Sequence, residues 1–432
     1  MASWEPMSLK HAGVVLIDCV HATPNPTASG YPYIAIPQMT GGRIDFDDAR
    51  QISAEDLATW TRKARPRKHD VVLSRRTNPG VIAPVSDRTD FALGQNLVLL
   101  RADGSHVLPE FLRWLATSPQ WWAQIEKFMN VGAIFNSLRC GDVPNFVLPI
   151  PPLADQRNIA GILSALDDKI ELNRRMNETL EASARALFRD WFVDFGPTRA
   201  KTEGRPAYLV PDLWSIFPDR LGDDGVPTEW SHVPLTDLFD ILGGGTPKTS
   251  RADFWDGDVP WFSVVDTPAV GSVFVLDTDK TITMAGVAGS AAKLIEPGTT
   301  IISARGTVGN LAIAAQPMTF NQSCYALRGK GPVGQVFVYL AADNMVATLK
   351  SHSHGSVFST ITRGTFEGIT MPRPDGGLLA RFEIAASPLL DRIKANVIES
   401  RTLAATRDAL LPKLMSGTIH VRDAQTMVGA HL

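Results

Sequence analysis

Apolar positions follow two rhythms along the chain. From Ile159 to Trp191 they recur in steps of four and three, through Leu163, Leu166, Ile170, Asn173, Asn177, Leu180, Ala184 and Leu187. Those steps predict a helix with a heptad seam. Elsewhere short apolar runs such as "VVL", "NLVLL", "TIISA" and "YAL" stand between Gly, Pro and Asn, which predicts short strands joined by turns. "LPEFLRWLATSPQWWAQIEKFM" has helical spacing and predicts local helices inside the first β-rich half.

The pattern occurs twice. "GAIFNSLRCGDVPNFVLPIPP" aligns with "GSVFSTITRGTFEGITMPRPD": Gly355 lies 223 positions after Gly132, Phe358 lies 223 after Phe135, and Pro374 lies 223 after Pro151. The same spacing runs without a gap into a second helix, whose seam reads Phe382, Ala386, Leu389, Ile393, Asn396, Ser400, Leu403, Arg407, Leu410 and Leu414. Upstream, "VVLSRRTNPGVIA" resembles "TIISARGTVGNLA" and "LGQNLVLLR" resembles "FNQSCYALR". A constant offset over such a length is a duplication. Asn173 and Asn396 occupy the same seam step, where a polar residue fixes register at some cost in stability. Pro388 after Ser387 is an expected helix start, and Pro412 an expected end or kink. Ile159 to Trp191 spans roughly 48 Å at 1.5 Å per residue. Paired antiparallel, two such helices would hold similar domains a set distance apart.

Composition narrows the class. Hydrophobic residues make up 44% and charged residues 20%, which is globular and not disordered. The start carries no signal-peptide order and no apolar run approaches the roughly 20 residues of a bilayer span, so a cytoplasmic, membrane-free protein is expected. Cys19, Cys140 and Cys324 are odd in number and far apart in sequence, which argues against disulfides or a cysteine zinc site. The formal net charge of −3 means that a nucleic-acid ligand would need local positive charge.

Catalytic signatures are missing. GxxxxGK[ST] is absent, with "GGGTPKTS" nearest, and neither an Asn-Pro-Pro-aromatic tetrapeptide nor a Rossmann GxGxxG occurs. His352 and His354 lack further ligand residues nearby, and no metal site is expected. Asp167 and Lys169 read as a solvated helix face. A binding module fits better than an enzyme. "TRKARPRK" clusters Arg62, Lys63, Arg65, Arg67 and Lys68, with Arg75 and Arg76 beyond, and such cations neutralise phosphates. "GGGTPKTS" offers glycine amides, the hydroxyls of Thr246, Thr249 and Ser250, and the cations Lys248 and Arg251. Arg pairs with guanine and Asn or Gln with adenine, so Arg76, Asn96, Arg305, Asn310 and Gln322 are candidates for base edges. Arg76 and Arg305 are repeat partners and could equally share a structural salt bridge.

These residues resemble the specificity subunit of type I restriction-modification systems. "PIPPLADQRNIAGILSALDDKIELNRRMNETLEASARALFRDWFVDF" is similar to its central conserved region. "GGGTPKTSRADFWDGDVPWFSV", "AAKLIEPGTTIISARGTVGNLAIA" and "FNQSCYAL" are similar to a target recognition domain, and "RDALLPKLMSGTIHV" to the C-terminal end. "MPRPDGGLLARF" departs from the family's Pro-Pro-Leu-x-x-Gln form. The resemblance implies an α+β fold: two similar β-rich recognition domains, separated by two long helices packed as an antiparallel coiled coil, with an internal pseudo-twofold repeat. Its expected boundaries are 1–151 and 228–374 for the recognition domains, 152–195 and 375–420 for the helical arms, 196–227 for the linker and 421–432 for the tail. It also implies that each domain reads half of a bipartite, asymmetric site on double-stranded DNA. Two methyltransferase subunits would dock on the repeated regions and motor-nuclease subunits would join them. S-adenosylmethionine, ATP and Mg²⁺ would belong to those partners, and this chain would hold no catalytic residue and no cofactor. A modification-only or phage-defence methyltransferase, or a coiled-coil scaffold for protein or carbohydrate, stays open at this point.

Overall fold

The short apolar runs form strands of two to eight residues in the computed structural model, which describes residues 4–132, 136–351 and 360–429. Phe135, His352, His354, Gly355 and Phe358 lie outside the described residues. The chain divides into two units, Met1–Lys169 with Thr402–Leu432, and Ile170–Arg401.

The first unit contains β1 (Glu5–Ser8), β2 (Val14–Asp18), β3 (Tyr31–Ile34), β4 (Arg50–Ile52), β5 (Val71–Ser74), β6 (Ile82–Pro84), β7 (Ala92–Leu93), β8 (Leu97–Ala102) and β9 (Val147–Ile150). Its main sheet has the antiparallel order β2–β8–β5–β6. Val71–Ser74 and Leu97–Leu100 are buried throughout, which is why they read as continuous apolar runs without alternation. A smaller sheet pairs β3 antiparallel with β4 and parallel with β7, and β1 pairs with β9. Helices α1 (Ala54–Trp60), α2 (Pro109–Leu115) and α3 (Pro119–Phe128) pack around them. Ser53 and Ser118 cap α1 and α3 by accepting from Asp56 and Trp121 N–H, and Pro109 and Pro119 open α2 and α3, where no N–H is needed. Helix α4 (Leu153–Phe192) then begins.

The second unit repeats the plan. After α5 (Gly196–Thr202) and α6 (Pro211–Trp214) come β10 (Ser231–Pro234), β11 (Phe239–Gly243), β12 (Trp255–Phe262), β13 (Phe274–Val275), β14 (Thr281–Ile282), β15 (Thr300–Ser303), β16 (Leu311–Ala314), β17 (Thr319–Phe320), β18 (Cys324–Gly329) and β19 (Thr370–Arg373). The order β11–β18–β15–β16 copies β2–β8–β5–β6, with β13 added at the edge. Likewise β14–β12–β17 copies β4–β3–β7, and β10–β19 copies β1–β9. One helix, α7 (Gln335–Ser351), stands where the first unit has α2 and α3. Segment 196–227, expected as a linker, folds as α5, α6 and turns, and places Phe217 and Val226 in the core of this unit.

The second long helix, α8, runs Gly376–Met415 and matches α4 at 40 residues. It neither starts at Pro388 nor stops at Pro412, which corrects the sequence expectation. Each proline removes one hydrogen bond, to the carbonyl of Ile384 or Asp408. Pro388, Ile384 and Asp408 are exposed, so both freed carbonyls are on the wet side. Phe382, Ala386, Leu390, Ile393 and Leu410 remain buried on the other face and carry the helix through. Within Ile170–Arg401 the two helices run antiparallel: Asn173 meets Ser400, Asn177 meets Asn396, and the Trp191 ring lies 5.6 Å from that of Phe382. A final helix, α9, covers Val421–Gly429. No helix among the described residues is long and apolar enough to cross a membrane.

Candidate nucleic-acid interface

Both units build one corner from three separate stretches. In the first, Arg75 N–H donates to the Asn96 carbonyl at 2.9 Å, and Leu138 N–H donates to the Arg75 carbonyl at 2.9 Å. In the second, Ala304 N–H donates to Ser323 at 2.7 Å, and Ile361 N–H donates to Ala304 at 3.0 Å. The strand ends β5 and β15 are thereby tied to the turns before β8 and β18. This brings Arg75, Arg76 and Asn96 together, and sets Arg305 beside Gln322. Gln322 accepts from the Thr246 hydroxyl, so Thr246 joins the second corner. Asn310 sits half-buried on the same turn, its N–H bound to Ser303 Oγ at 2.8 Å. That turn needs Gly306 and Gly309 at φ +74° and +86°, and a Cβ on Gly309 would lie 2.7 Å from Lys350 Cε.

The glycines of "GGGTPKTS" do a different job from the one expected. Gly244 N–H is spent on Cys324 O, and Gly245 N–H on Phe320 O at 3.0 Å. A Cβ on Gly245 would lie 2.2 Å from the Ala291 carbonyl carbon, so this glycine permits backbone to pack on backbone and does not cradle an anion. Trp261 and Trp255, edge to face at 5.2 Å, fasten the loop by donating to Gly245 O at 2.9 Å and Lys248 O at 3.2 Å. Lys248 and Arg305 are exposed and free of ion pairs among the described residues, whereas Arg251 is held by Asp253 at 2.6 Å.

The basic run of the first unit lies elsewhere. Lys63–Lys68 precede β5 and Arg75–Arg76 follow it, so the strand separates them by about 13 Å at 3.3 Å per residue. The backbone of the run is fixed from below: Arg101 grips Asp70 at 2.6 and 2.7 Å and donates to Arg65 O at 2.8 Å. Lys63, Arg65 and Arg67 stay exposed without ion pairs among the described residues, while Lys68 pairs with Asp87 at 2.6 Å.

Sequence reasoning missed a concave site of about 540 Å³ beside the first corner, lined by Thr23, Gln38, Arg50, Thr77, Gln95 and Asn96 among others. The signal was present. Aligning "LGQN" with "FNQS" sets Gln95 opposite Gln322. Cys19 and Cys140, far apart in sequence, also share surroundings here. Burial pushes the Cys19 thiol up to about 11, with the charge of Asp18 adding to it and that of Arg75 opposing.

Of the seam residues, Ile159, Leu163, Leu166, Leu403 and Leu410 are buried in the first unit. In the second, Asn173, Ile393 and Asn396 are buried, and Ile170, Leu180, Leu187 and Leu389 are half-buried. Asn173 and Asn396 do not meet each other. Asn173 Nδ2 donates to Glu399 at 2.7 Å and Ser400 at 3.2 Å, and Asn396 Nδ2 donates to Asn177 at 2.8 Å. Asp167 is not on a solvated face: it binds Arg113 and, at 2.5 Å, Arg407, with its side chain 17% exposed.

The model of the type I restriction modification DNA specificity domain matches residues 25–182 and again 227–376. The chain belongs to the specificity-subunit family of type I restriction-modification systems. It is 27% identical over 415 residues to the HindI specificity subunit of Haemophilus influenzae, covering 85% of this chain and 90% of that one. It is 28% identical over 169 residues to the MjaIX specificity subunit of Methanocaldococcus jannaschii, covering 39% of each. The fold is that of the type I restriction-modification S subunit from M. genitalium, at a TM-score of 0.54 and 16% identity, over 95% of this chain and 96% of that one. Specificity subunits are the non-catalytic, DNA-recognising members of their systems.

Proposed function

We propose that this specificity subunit reads a bipartite, asymmetric DNA site, one half with each β-rich unit, and that the helices set the unread gap. The observation that supports this most is the duplicated corner, Arg75–Arg76–Asn96 with Thr23 in one copy and Arg305–Gln322–Thr246 in the other. The corners share a backbone frame and differ in side chains, as two readers of unlike half-sites must. Lys63, Arg65, Arg67 and Lys248 would supply phosphate contacts and salt-dependent affinity. Under this reading two methyltransferase subunits dock on the repeated helical regions and motor-nuclease subunits join that core. S-adenosylmethionine, ATP and Mg²⁺ are then held by those partners, and this chain supplies the address.

The test is co-expression with the cognate methyltransferase, followed by mapping of methylated adenines. One bipartite motif that disappears without this chain is expected. Inserting seven residues into both α4 and α8 should lengthen the unread gap and leave both half-sites unchanged. Altered half-sites with an unaltered gap would overturn the assignment of reading to the units and spacing to the helices.

A further inference from the structure

Asp18, Cys19 and His21 close the end of β2 in the first unit. An Asp18 carboxylate oxygen, the Cys19 sulfur and a His21 ring nitrogen all lie within 4.8 Å of one another. Carboxylate, thiolate and imidazole together are the donors of zinc-class sites.

His21 carries the argument. Its Nδ1 lies 3.1 Å from the Gln95 carbonyl oxygen and its Nε2 lies 2.8 Å from Asp18 Oδ2. A carbonyl only accepts, so Nδ1 must bear a hydrogen. A neutral ring then turns the Nε2 lone pair toward a carboxylate, which also only accepts. That lone pair and the Asp18 oxygen, side by side at 2.8 Å, would both face a cation bound next to them. An Nδ1–H bound to a backbone carbonyl is also the outer hydrogen bond that orients metal-ligating histidines. Cys19 is fully buried, and its thiol makes just one weak contact, to Gly94 O at 3.4 Å. Burial raises the Cys140 thiol, the Arg75 charge opposes this and the Asp18 charge adds to it.

The fold does not require these residues. Tyr325 pairs with Gly243 as Val98 pairs with Asp18, so the second unit has Gly243, Gly244 and Thr246 in their places and builds the same strand end. We propose that Asp18, Cys19 and His21 bind one zinc-class divalent cation, whose remaining position is left to solvent. Binding displaces the Cys19 thiol proton. It locks the end of β2 to the Gly94–Asn96 turn through Gln95, so the metal stiffens the frame that carries Asn96.

The test uses the full-length reduced protein, stripped with a chelator and titrated with Co²⁺ and then Zn²⁺. One equivalent of Co²⁺ should bind with a thiolate-to-cobalt charge-transfer band in the near ultraviolet, and Zn²⁺ should displace it. His21 is exposed, so His21→Gln should keep the fold. It should weaken Zn²⁺ binding by more than the roughly 10- to 100-fold typical of losing an outer hydrogen-bond partner. Cys19→Ser should remove the band. Absence of the band in the parent, or parental stoichiometry and affinity in His21→Gln, would overturn the site.

Discussion

Asp167 joins two guanidiniums that lie far apart in sequence. Arg113 comes from α2 and Arg407 from the last turns of α8. Burial and the Arg407 charge pull Arg113 down to about 10, so the carboxylate is what makes both cations tolerable. Asp167→Ala would strip Arg113 of its ion-pair partner and leave the neighbouring Arg407 only the exposed Asp408. It should cost about 3 kcal/mol by denaturant titration, the lower end for stripping one partner from a buried ion pair. Glu171 makes the complementary case. The Arg174 hydrogen bond, opposed by burial and aided by Arg175, pulls its carboxylate down to about 2 from the ordinary 4.5. Its folded value lies below its unfolded one, so its contribution is complete above about pH 4.5 and is lost as pH falls toward 2. The stability of Glu171→Gln should therefore fall less than the parent's across that window in acid titrations of unfolding.

Single residues also explain the unusual start of α8. Gln156, in the first Pro-Pro-Leu-x-x-Gln stretch, accepts from Leu108 N–H at 2.8 Å and so caps α2. Its repeat position is Leu379, fully buried. Glu383, one turn further on, accepts from Phe337 N–H at 2.8 Å and caps α7 instead. The departure from the family form moved the cap without abolishing it.

At the scale of elements, the helix pair is held in the second unit by stacked rings. Phe192 and Phe382 stand edge to face at 4.9 Å, and Phe188, Trp191 and Phe337 surround them. Phe382→Ala should cost about 3–5 kcal/mol, read as a lowered denaturant midpoint. Pro388→Ala should do the reverse and add about 1–3 kcal/mol, since the missing hydrogen bond returns and no buried contact changes. The heptad seam was legible because spacing alone places Ile159, Leu163 and Leu166 on one face. The extent of α8 was not. The proline rules weigh local hydrogen bonds, and here a buried stripe on the opposite face outweighs two of them. Likewise Asp167 looked solvated because the sequence cannot say which strand-rich segment lies over a helix.

Across the whole molecule, the duplication made the architecture readable, since two copies of one plan exclude most alternatives. The corners were half legible. Arg76, Asn96, Arg305 and Gln322 were found by residue type, whereas Gln95 needed the repeat alignment and Thr23 needed the folded site. The basic run and the corner of the first unit appeared to be one patch because they are close in sequence, but β5 parts them. That separation predicts two kinds of variant. Lys63→Ala, Arg65→Ala and Arg67→Ala should weaken DNA binding alike on every sequence and lower the salt slope by about 1 per cation, measured by fluorescence anisotropy. Arg305→Ala should instead relax one half-site in the methylation map and leave that slope nearly intact.

The asparagine contacts of the helix pair have a consequence of their own. Asn177 and Ser400 are repeat partners, as are Asn173 and Asn396, so Asn173 with Ser400 and Asn396 with Asn177 are one contact made twice. A surface that meets its own copy in this way is an isologous interface, the kind found between identical subunits. The chain therefore carries a homodimer's seam folded into a single polypeptide. A single chain removes the constraint that both sides stay identical, and the corner at Asp18–Cys19–His21 against Gly243–Gly244–Thr246 records how far they differ.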